Sequence, residues 1–324
     1  MPIYTISRKE GGWSVLETLR CRLRLSWSQA RKLVQERRVL LGGEVCRDAA
    51  RRVKAGQRVQ VREAGQAARP KKAGGPVICF VDKHLVVVDK PAGLTTMRHP
   101  EEAAEFGERG RRFLPPTLAD LLPGLLAQAG KGKPGRVRAV HRLDKETSGL
   151  VVFARTPQAE THLGKQFRAH SIERRYLALV RGRARPGRIE SVLVRDRGDG
   201  RRGSTSEPGL GQRAITHVGV VEELGAYTLV ECRLETGRTH QVRIHLAESG
   251  TPLCGERVYD RPLHGKPLPD QSGARRPALH AASLGLQHPQ TGQWLAWQSE
   301  LPADLRTLLK RLRRGSKQAD QPEQ

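Results

Sequence analysis

Near the start of the chain, apolar positions recur twice at helical intervals. Ser14-Val15-Leu16-Glu17 has capping-box spacing, and Leu16, Leu19 and Leu23 follow on one helical stripe. Ser26-Trp27-Ser28-Gln29 repeats the signal, with Ala30, Leu33 and Val34 on the buried side. Val39 to Val45 then predicts a short strand and a Gly42-Gly43 turn, and Val53, Val59 and Val61 predict closing strands. Residues 64–76 lose all periodicity and are rich in Gly, Pro and Lys, the composition of a flexible linker. Val77–Val81 and Leu85–Val88 predict two strands about a turn, ended by the rigid Lys90-Pro91-Ala92-Gly93-Leu94.

Further along, Thr117–Gln128 predicts a helix kinked or broken at Pro123. Leu150–Ala154 is a continuous apolar run, and Thr156-Pro157 reads as a helix cap with proline at the first helical position. Tyr176–Val180, Ala214–Val221 and Tyr227–Leu234 predict strands, and Gly198–Gln212 a mobile loop. Arg238–Arg243 opens a helix that stops at Gly250. An amphipathic helix is expected from Ala303 to about Arg314, with a disordered tail after Gly315. No internal repeat is visible. The class is α+β: a mixed, mainly antiparallel sheet with few helices, preceded by a small α+β unit. The expected organisation is a first domain over 1–63, a linker over 64–76, a large domain over 77–302, and a helix with tail over 303–324.

Composition narrows the partner. The 324 residues carry 58 Lys and Arg against 33 Asp and Glu, a formal net charge of +25. That balance favours an anionic partner, and RNA or DNA rewards dispersed cations through counterion release. No apolar stretch approaches the roughly 20 residues of a spanning helix. The N-terminus lacks a secretory pattern, so a cytoplasmic protein is expected. The cysteines at 21, 46, 79, 232 and 254 have no CxxC spacing and read as small buried apolar residues. Residues 1–63 alone hold 15 basic against 6 acidic residues, with Arg22, Arg24, Arg31, Lys32, Arg37 and Arg38 on and around the second helix. A solvated helix face is the ordinary explanation for such a cluster. Ser28, Arg31, Leu33, Val34, Val39, Gly42, Gly43, Val45 and Gly56 nevertheless resemble the alpha-L RNA-binding domain of a ribosomal small-subunit protein and several RNA-modifying enzymes. Gly42 stands where that pattern usually has Asn.

Several chemistries are not indicated. His240 and His245 have no HExxH context, and GxGxxG, GxxxxGK[ST] and GxSxG are all absent. Neither metal nor cofactor is expected. What remains is Asp144, in the run His141 to Leu150, a cationic segment from Gly237 to Leu246, and Tyr176 at a strand start. Close cations favour an ionised carboxylate, as a catalytic carboxylate requires at neutral pH. Each residue also has a plainer explanation: Asp144 as a weak ion pair at a strand entrance, Tyr176 as a half-buried strand residue, Arg243 as a surface charge. Together they suggest a site that binds a phosphodiester, stacks a base and uses one carboxylate.

The runs Lys90–Leu94, His141–Leu150, Arg175–Gly182, Gly237–Leu246 and Arg276–Ala281 resemble, in order, the signature blocks of RluA-type pseudouridine synthases. The resemblance implies a pseudouridine synthase fold and an RNA substrate, ribosomal RNA more than transfer RNA. It implies that Asp144 is the catalytic aspartate, that Arg142 fills the gap left by a flipped-out uridine, that Tyr176 packs on the uracil, and that Arg243 pairs with the aspartate. His141, Arg238, His240 and Gln241 are expected at the bound RNA, with Arg31, Lys32, Arg37 and Arg38 contacting it from the first domain. The implied reaction breaks the C1′–N1 bond of uridine, turns the retained base and rejoins it through C5. Two departures stand out: Glu256, where the family usually has Asp and which reads as a structural position, and Leu94–Arg98, usually more apolar with a His. A monomer is expected. The competing reading is a non-catalytic RNA-binding assembly factor; a DNA-binding regulator is disfavoured because no helix-turn-helix is evident.

Overall fold

The computed structural model of the chain describes residues 3–36, 38–46, 48–62, 74–98, 114–130, 135–263 and 265–319. Arg37, linker positions 64–73 and the last residues, 320–324, lie outside the described residues. The chain divides into two compact units. One takes in residues 3–62, 98 and 114–117; the other takes in 74–97 and 118–319.

The first unit opens with β1 (Ile3–Thr5), α1 (Val15–Leu23) and α2 (Trp27–Gln35), followed by β2 (Val39–Leu41), β3 (Glu44–Val45) and β4 (Arg58–Val61). Both predicted caps form: Ser14 Oγ accepts from the Glu17 N–H at 3.1 Å, and Ser26 and Gln29 bond reciprocally in a capping box. The strands pair antiparallel in the order β1-β4-β2-β3, and Val15, Leu16, Leu19, Ala30 and Val34 pack on Val39, Leu41 and Val59. Leu114 is buried in this same core, so the unit draws on chain beyond the predicted boundary at 63.

The second unit is built on one large sheet. Its strands are β5 (Val77–Val81), β6 (Leu85–Lys90), β7 (Arg138–Ala139), β8 (Ser148–Ala154), β9 (Glu173–Arg181), β10 (Gly187–Val194), β11 (Gly203–Thr205), β12 (Gln212–Leu224), β13 (Tyr227–Leu234), β14 (Leu279–Gln287) and β15 (Trp294–Gln298). The main path runs β11-β10-β12-β13-β9-β14-β8-β6-β5, with β15 on β14 and β7 on β8. Every described pairing is antiparallel except β8 with β14, which makes the sheet mixed and mainly antiparallel. The helices are α3 (Leu118–Gln128), α4 (Pro157–Arg168), α5 (Gln241–Glu248) and α6 (Ala303–Ala319).

Strand alternation sends successive side chains to opposite faces. Val86, Val88, Val151, Phe153, Ala178 and Val230 therefore meet α3 and α5. Leu85, Val87, Leu150 and Val152 meet α4, while Leu179 and Leu229 meet the Leu305, Leu308, Leu309 and Leu312 stripe of α6. Helices cover both faces of the central strands, which is why β8 is buried at all seven positions.

Some expectations change. Pro123 sits inside an unbroken α3. Gly198–Gln212 contains β11, which pairs with β10, and Asp196 Oδ1 accepts the Gly198 and Gly200 N–H groups at 2.8 Å; the stretch is a built turn. The last helix continues through Ala319, past the expected tail start at Gly315, and is seated on the second unit through its leucine stripe. Cys46, Cys232 and Cys254 are buried as expected, but Cys21 and Cys79 are exposed, Cys21 on the polar side of α1 and Cys79 on the edge strand β5.

The parallel contact of β8 with β14 depends on Gly149. Its φ is +112°, and a Cβ there would overlap the Ala281 backbone. Gly149→Ala is expected to cost about 3 kcal/mol or more, from strain and overpacking together. Urea unfolding of the two proteins measures this, and a difference within experimental error would contradict the close-approach account.

Candidate active site

Asp144 lies in the loop between β7 and β8, and this loop is fastened by its backbone. Thr96 Oγ1 donates to the Leu143 carbonyl at 2.8 Å and accepts the Leu143 N–H at 3.1 Å. The Gly93 N–H donates to the Lys145 carbonyl at 2.7 Å. Fully buried Lys90 donates from Nζ to the carbonyls of Pro91, Leu94 and Lys145 at 2.8–3.2 Å. Burial pushes the Lys90 ammonium down to about 7, against the pull of Glu146 and Asp144. From the other side, Arg276 donates to the Glu146 carbonyl at 3.0 Å and forms a two-pronged pair with Asp304 on α6. The Lys90–Leu94 and Arg276–Ala281 blocks thus act as clamps on the loop. Thr96 gives the unusual Leu94–Arg98 stretch a defined task.

The partner of Asp144 comes from α5. Gln241 pins the start of that helix: Oε1 accepts from Thr236 Oγ1 and the Arg238 N–H, and Nε2 donates to the Ile215 carbonyl and Thr216 Oγ1, all within 3.0 Å. Arg243 Nη1 then lies 3.5 Å from Asp144 Oδ2. The same guanidinium makes two 2.8 Å bonds to Glu256, from Nε to Oε2 and from Nη2 to Oε1. Glu256 Oε1 also accepts the N–H groups of Arg257, Val258 and Tyr259. Burial alone would drive Arg243 toward losing its proton, but the bonds and charge of Glu256 outweigh it and raise its pKa. Burial likewise opposes ionisation of Glu256, and Arg243 with the backbone N–H groups still holds that carboxyl below its ordinary range. The extra methylene at 256 is absorbed into a saturated, bidentate site.

His240 approaches Asp144 from the opposite side, its Nε2 3.7 Å from Oδ1, while its Nδ1 lies 2.6 Å from the Tyr259 hydroxyl. It occupies the left-handed region at φ 61°, where the chain turns into α5. Burial lowers its pKa, with Asp144 opposing. Tyr176, on β9, is buried in the same wall, and burial raises its phenol pKa.

These groups surround one cavity of about 380 Å³, whose lining includes Arg142, Asp144, Tyr176, Arg238, His240 and Arg243. A carboxylate oriented by cations beside an aromatic wall can attack or deprotonate a sugar held against that wall. His141 and Gln241 also line the cavity, but Nε2 of His141 and the whole Gln241 amide are committed within the protein. His141 Nε2 accepts the Val152 N–H at 3.0 Å, its ring stacks on Phe167, and burial takes its pKa down to about 3, with the Arg174 charge adding to the effect. Gln241 is 2% exposed with its amide fully used, so it positions α5 where an RNA contact was expected. Arg142 is exposed at the cavity, and Arg238 donates from Nε to the Arg213 carbonyl. Arg31, Lys32 and Arg38 lie in the first unit; Lys32 is three-quarters exposed and 3.8 Å from Glu36, and Arg38 bonds the Arg62 carbonyl. Glu256, Tyr259, Arg174, Lys90 and Thr96 did not stand out as site residues, because long-range pairing leaves no periodic trace.

A protein-family model described as RNA pseudouridylate synthase matches residues 84–248. The chain belongs to that family. The matched span contains Asp144, Tyr176 and Arg243 and ends with α5. An S4 domain matches residues 19–59, from within α1 through α2, β2 and β3 to the start of β4 in the first unit. The ribosomal large subunit pseudouridine synthase D of Zymomonas mobilis is 41% identical over 237 residues, covering 72% of each chain. That of Xanthomonas campestris is 36% identical over 292 residues, covering 86% of this chain and 82% of its own. Human RNA pseudouridylate synthase domain containing 4 superposes with a TM-score of 0.58 at 26% identity, covering 73% of this chain and 93% of the human one. The enzyme is an RNA pseudouridine synthase, an isomerase.

The Arg243–Glu256 pair makes a prediction for the synthase. Glu256→Gln removes the close counter-ion of a buried guanidinium, leaving it only Asp144 at 3.5 Å, and is expected to cost about 3 kcal/mol. Because the folded Glu256 pKa is lowered, its contribution is present above the unfolded value near 4.3 and is lost as pH falls through the folded value. Unfolding free energies of wild type and variant should therefore converge toward acid pH. A gap independent of pH from 7 to 3 would contradict the assignment.

Proposed function

We propose that this synthase converts specific uridines of ribosomal RNA to pseudouridine, with Asp144 as the group that opens the glycosidic bond. The observation that carries this reading is Asp144 itself, a carboxylate 20% exposed at the cavity, flanked by Arg243 and His240 and facing the wall that holds Tyr176. Relatives named as ribosomal large subunit synthases support ribosomal RNA as the substrate. The S4 match over the first unit supports an RNA-docking role for that unit, with Arg31, Lys32 and Arg38 contacting phosphates. On this reading the protein acts in the cytoplasm as a monomer. The first domain over 1–63 recruits RNA, and the domain from 77 onward does the chemistry.

The sequence of events follows from the chemistry. A stacked uridine cannot present its C1′ to a carboxylate, so it flips out, at a cost of a few kcal/mol. Arg142, exposed at the cavity, takes the vacated place in the helix. The base packs on Tyr176, and Asp144 either attacks C1′ or removes the C2′ proton. The base then turns and bonds through C5. A proton leaves C5, another is taken up at N1, and no atom is lost overall.

Asp144→Asn is expected to abolish conversion while RNA affinity stays within about threefold of wild type. Full activity in that variant would refute the role of Asp144. Pseudouridine mapping in cells lacking the protein is expected to show lost sites in ribosomal RNA; losses confined to transfer RNA, or none, would overturn the substrate assignment. Lys32→Gln should weaken RNA binding across sequences and reduce the salt slope by about one. An unchanged slope would remove Lys32 from the interface.

A further inference from the structure

Arg174 is buried, lines the cavity, and has no carboxylate partner among the described residues. It lies two residues before Tyr176 on β9, so both side chains leave the same strand face, about 7 Å apart along it. Its contacts are few. Nη2 donates to the Glu235 carbonyl at 2.9 Å, and the guanidinium carbon lies 5.6 Å from the Phe167 ring centroid. Nε is buried without a hydrogen-bond partner. On the Nη1 side stands Gly237, where a Cβ would come within 2.6 Å of Nη1. Among the other buried arginines of this unit, Arg243 and Arg276 carry two-pronged carboxylate partners. Arg181 donates from Nη1 to the carbonyls of Leu268 and Pro269 and also leaves Nε and Nη2 without hydrogen-bond partners, but unlike Arg174 it is not part of the cavity lining. A desolvated cation with an idle donor costs stability wherever it sits; in the cavity wall, that donor is also placed to meet a charge that develops during turnover.

The proposed reaction produces that charge. When C1′–N1 breaks, the bonding electron pair leaves with the base, whether the sugar is trapped by Asp144 as an ester or becomes a glycal with its C2′ proton on Asp144. The detached uracil is an anion, its charge shared among N1, O2 and O4. The charge leaves the base when C5 donates a pair to C1′, as the ester bond from C1′ to Asp144 breaks and restores the carboxylate, or as the C1′=C2′ pair of the glycal takes the C2′ proton back from Asp144; the proton then lost from C5 is balanced by one gained at N1. We propose that Arg174 is a further catalytic residue that binds a carbonyl oxygen of the detached uracil and stabilises its negative charge while the base turns. The base, and not a phosphate, is the ligand that fits. Arg174 is 7% exposed in the wall shared with Tyr176, whereas the rim residue Arg142 is exposed. Guanidinium N–H groups also match uracil oxygens and repel the amino group of cytosine.

This inference rests on the proposed chemistry at Asp144, and one set of variants separates the two. Full-length wild type, Arg174→Met, Arg174→Lys and Asp144→Asn are compared on an RNA that the wild type converts, by single-turnover conversion, RNA affinity and thermal unfolding. Arg174→Met is expected to lose roughly 10²–10³-fold in single-turnover rate, as for removal of a charge-stabilising donor, with affinity nearly unchanged. Arg174→Lys should recover part of the rate. The melting temperature of Arg174→Met should be equal or higher, because an uncompensated buried charge has been removed. A structural role predicts the opposite, a lower melting temperature with no rescue by Lys, and that result would overturn the proposal. So would weakened affinity at an unchanged rate, which is the signature of a phosphate contact. An active Arg174→Met beside an inactive Asp144→Asn would sink only the role of Arg174; an active Asp144→Asn would sink the chemistry on which it rests.

Discussion

One guanidinium shared between two carboxylates organises this enzyme. Arg243 gives its Nε and Nη2 donors to Glu256 and leaves Nη1 for Asp144. The 2.8 Å bonds to Glu256 fix the plane of the fork, and the longer 3.5 Å approach to Asp144 leaves that carboxylate less constrained. The asymmetry suits catalysis. A carboxylate that must react with a sugar cannot also be the saturated partner of a buried cation. Glu256 takes the structural share of the charge, so Asp144 meets only the longer approaches of Arg243 at 3.5 Å and His240 at 3.7 Å.

The supports of this arrangement come from distant parts of the chain. Glu256 and Tyr259 belong to one segment, and through Arg243 and His240 they hold both oxygens of Asp144. Gln241 fastens α5 to β12, and Lys90, Thr96 and Arg276 fasten the loop that carries Asp144. Two rigid pieces, the β7–β8 loop and the start of α5, are thereby brought to within one ion-pair distance. The wide sheet supplies the rigidity, since β8 is buried on both faces and β14 reinforces it through the only parallel contact among the described pairings.

Much of this was legible in the sequence, for identifiable reasons. The capped helices at Ser14, Ser26 and Thr156 follow from local chemistry and form where expected. The continuous run Leu150–Ala154 reads as a buried strand and lies in one. Strand β10 passed unnoticed because its Arg188, Glu190 and Ser191 dilute the apolar alternation of a strand that is only partly covered. Pro123 by itself predicts a kink or a break, yet α3 runs through it with Leu118, Leu122 and Leu126 all packed on the sheet. At the site, Asp144 and Arg243 stood out because each lies in a dense block of chemically suggestive residues. Glu256 announced itself only as a departure from a familiar pattern, and the difference between a cavity contact and a positioning residue, as at Gln241, is visible only in three dimensions.

The clamps on the β7–β8 loop all grip main-chain atoms: the carbonyls of Leu143, Lys145 and Glu146 and the N–H of Leu143. A grip on the backbone is indifferent to side-chain identity. The path of the chain through positions 143 to 146 is therefore what places the carboxylate of Asp144.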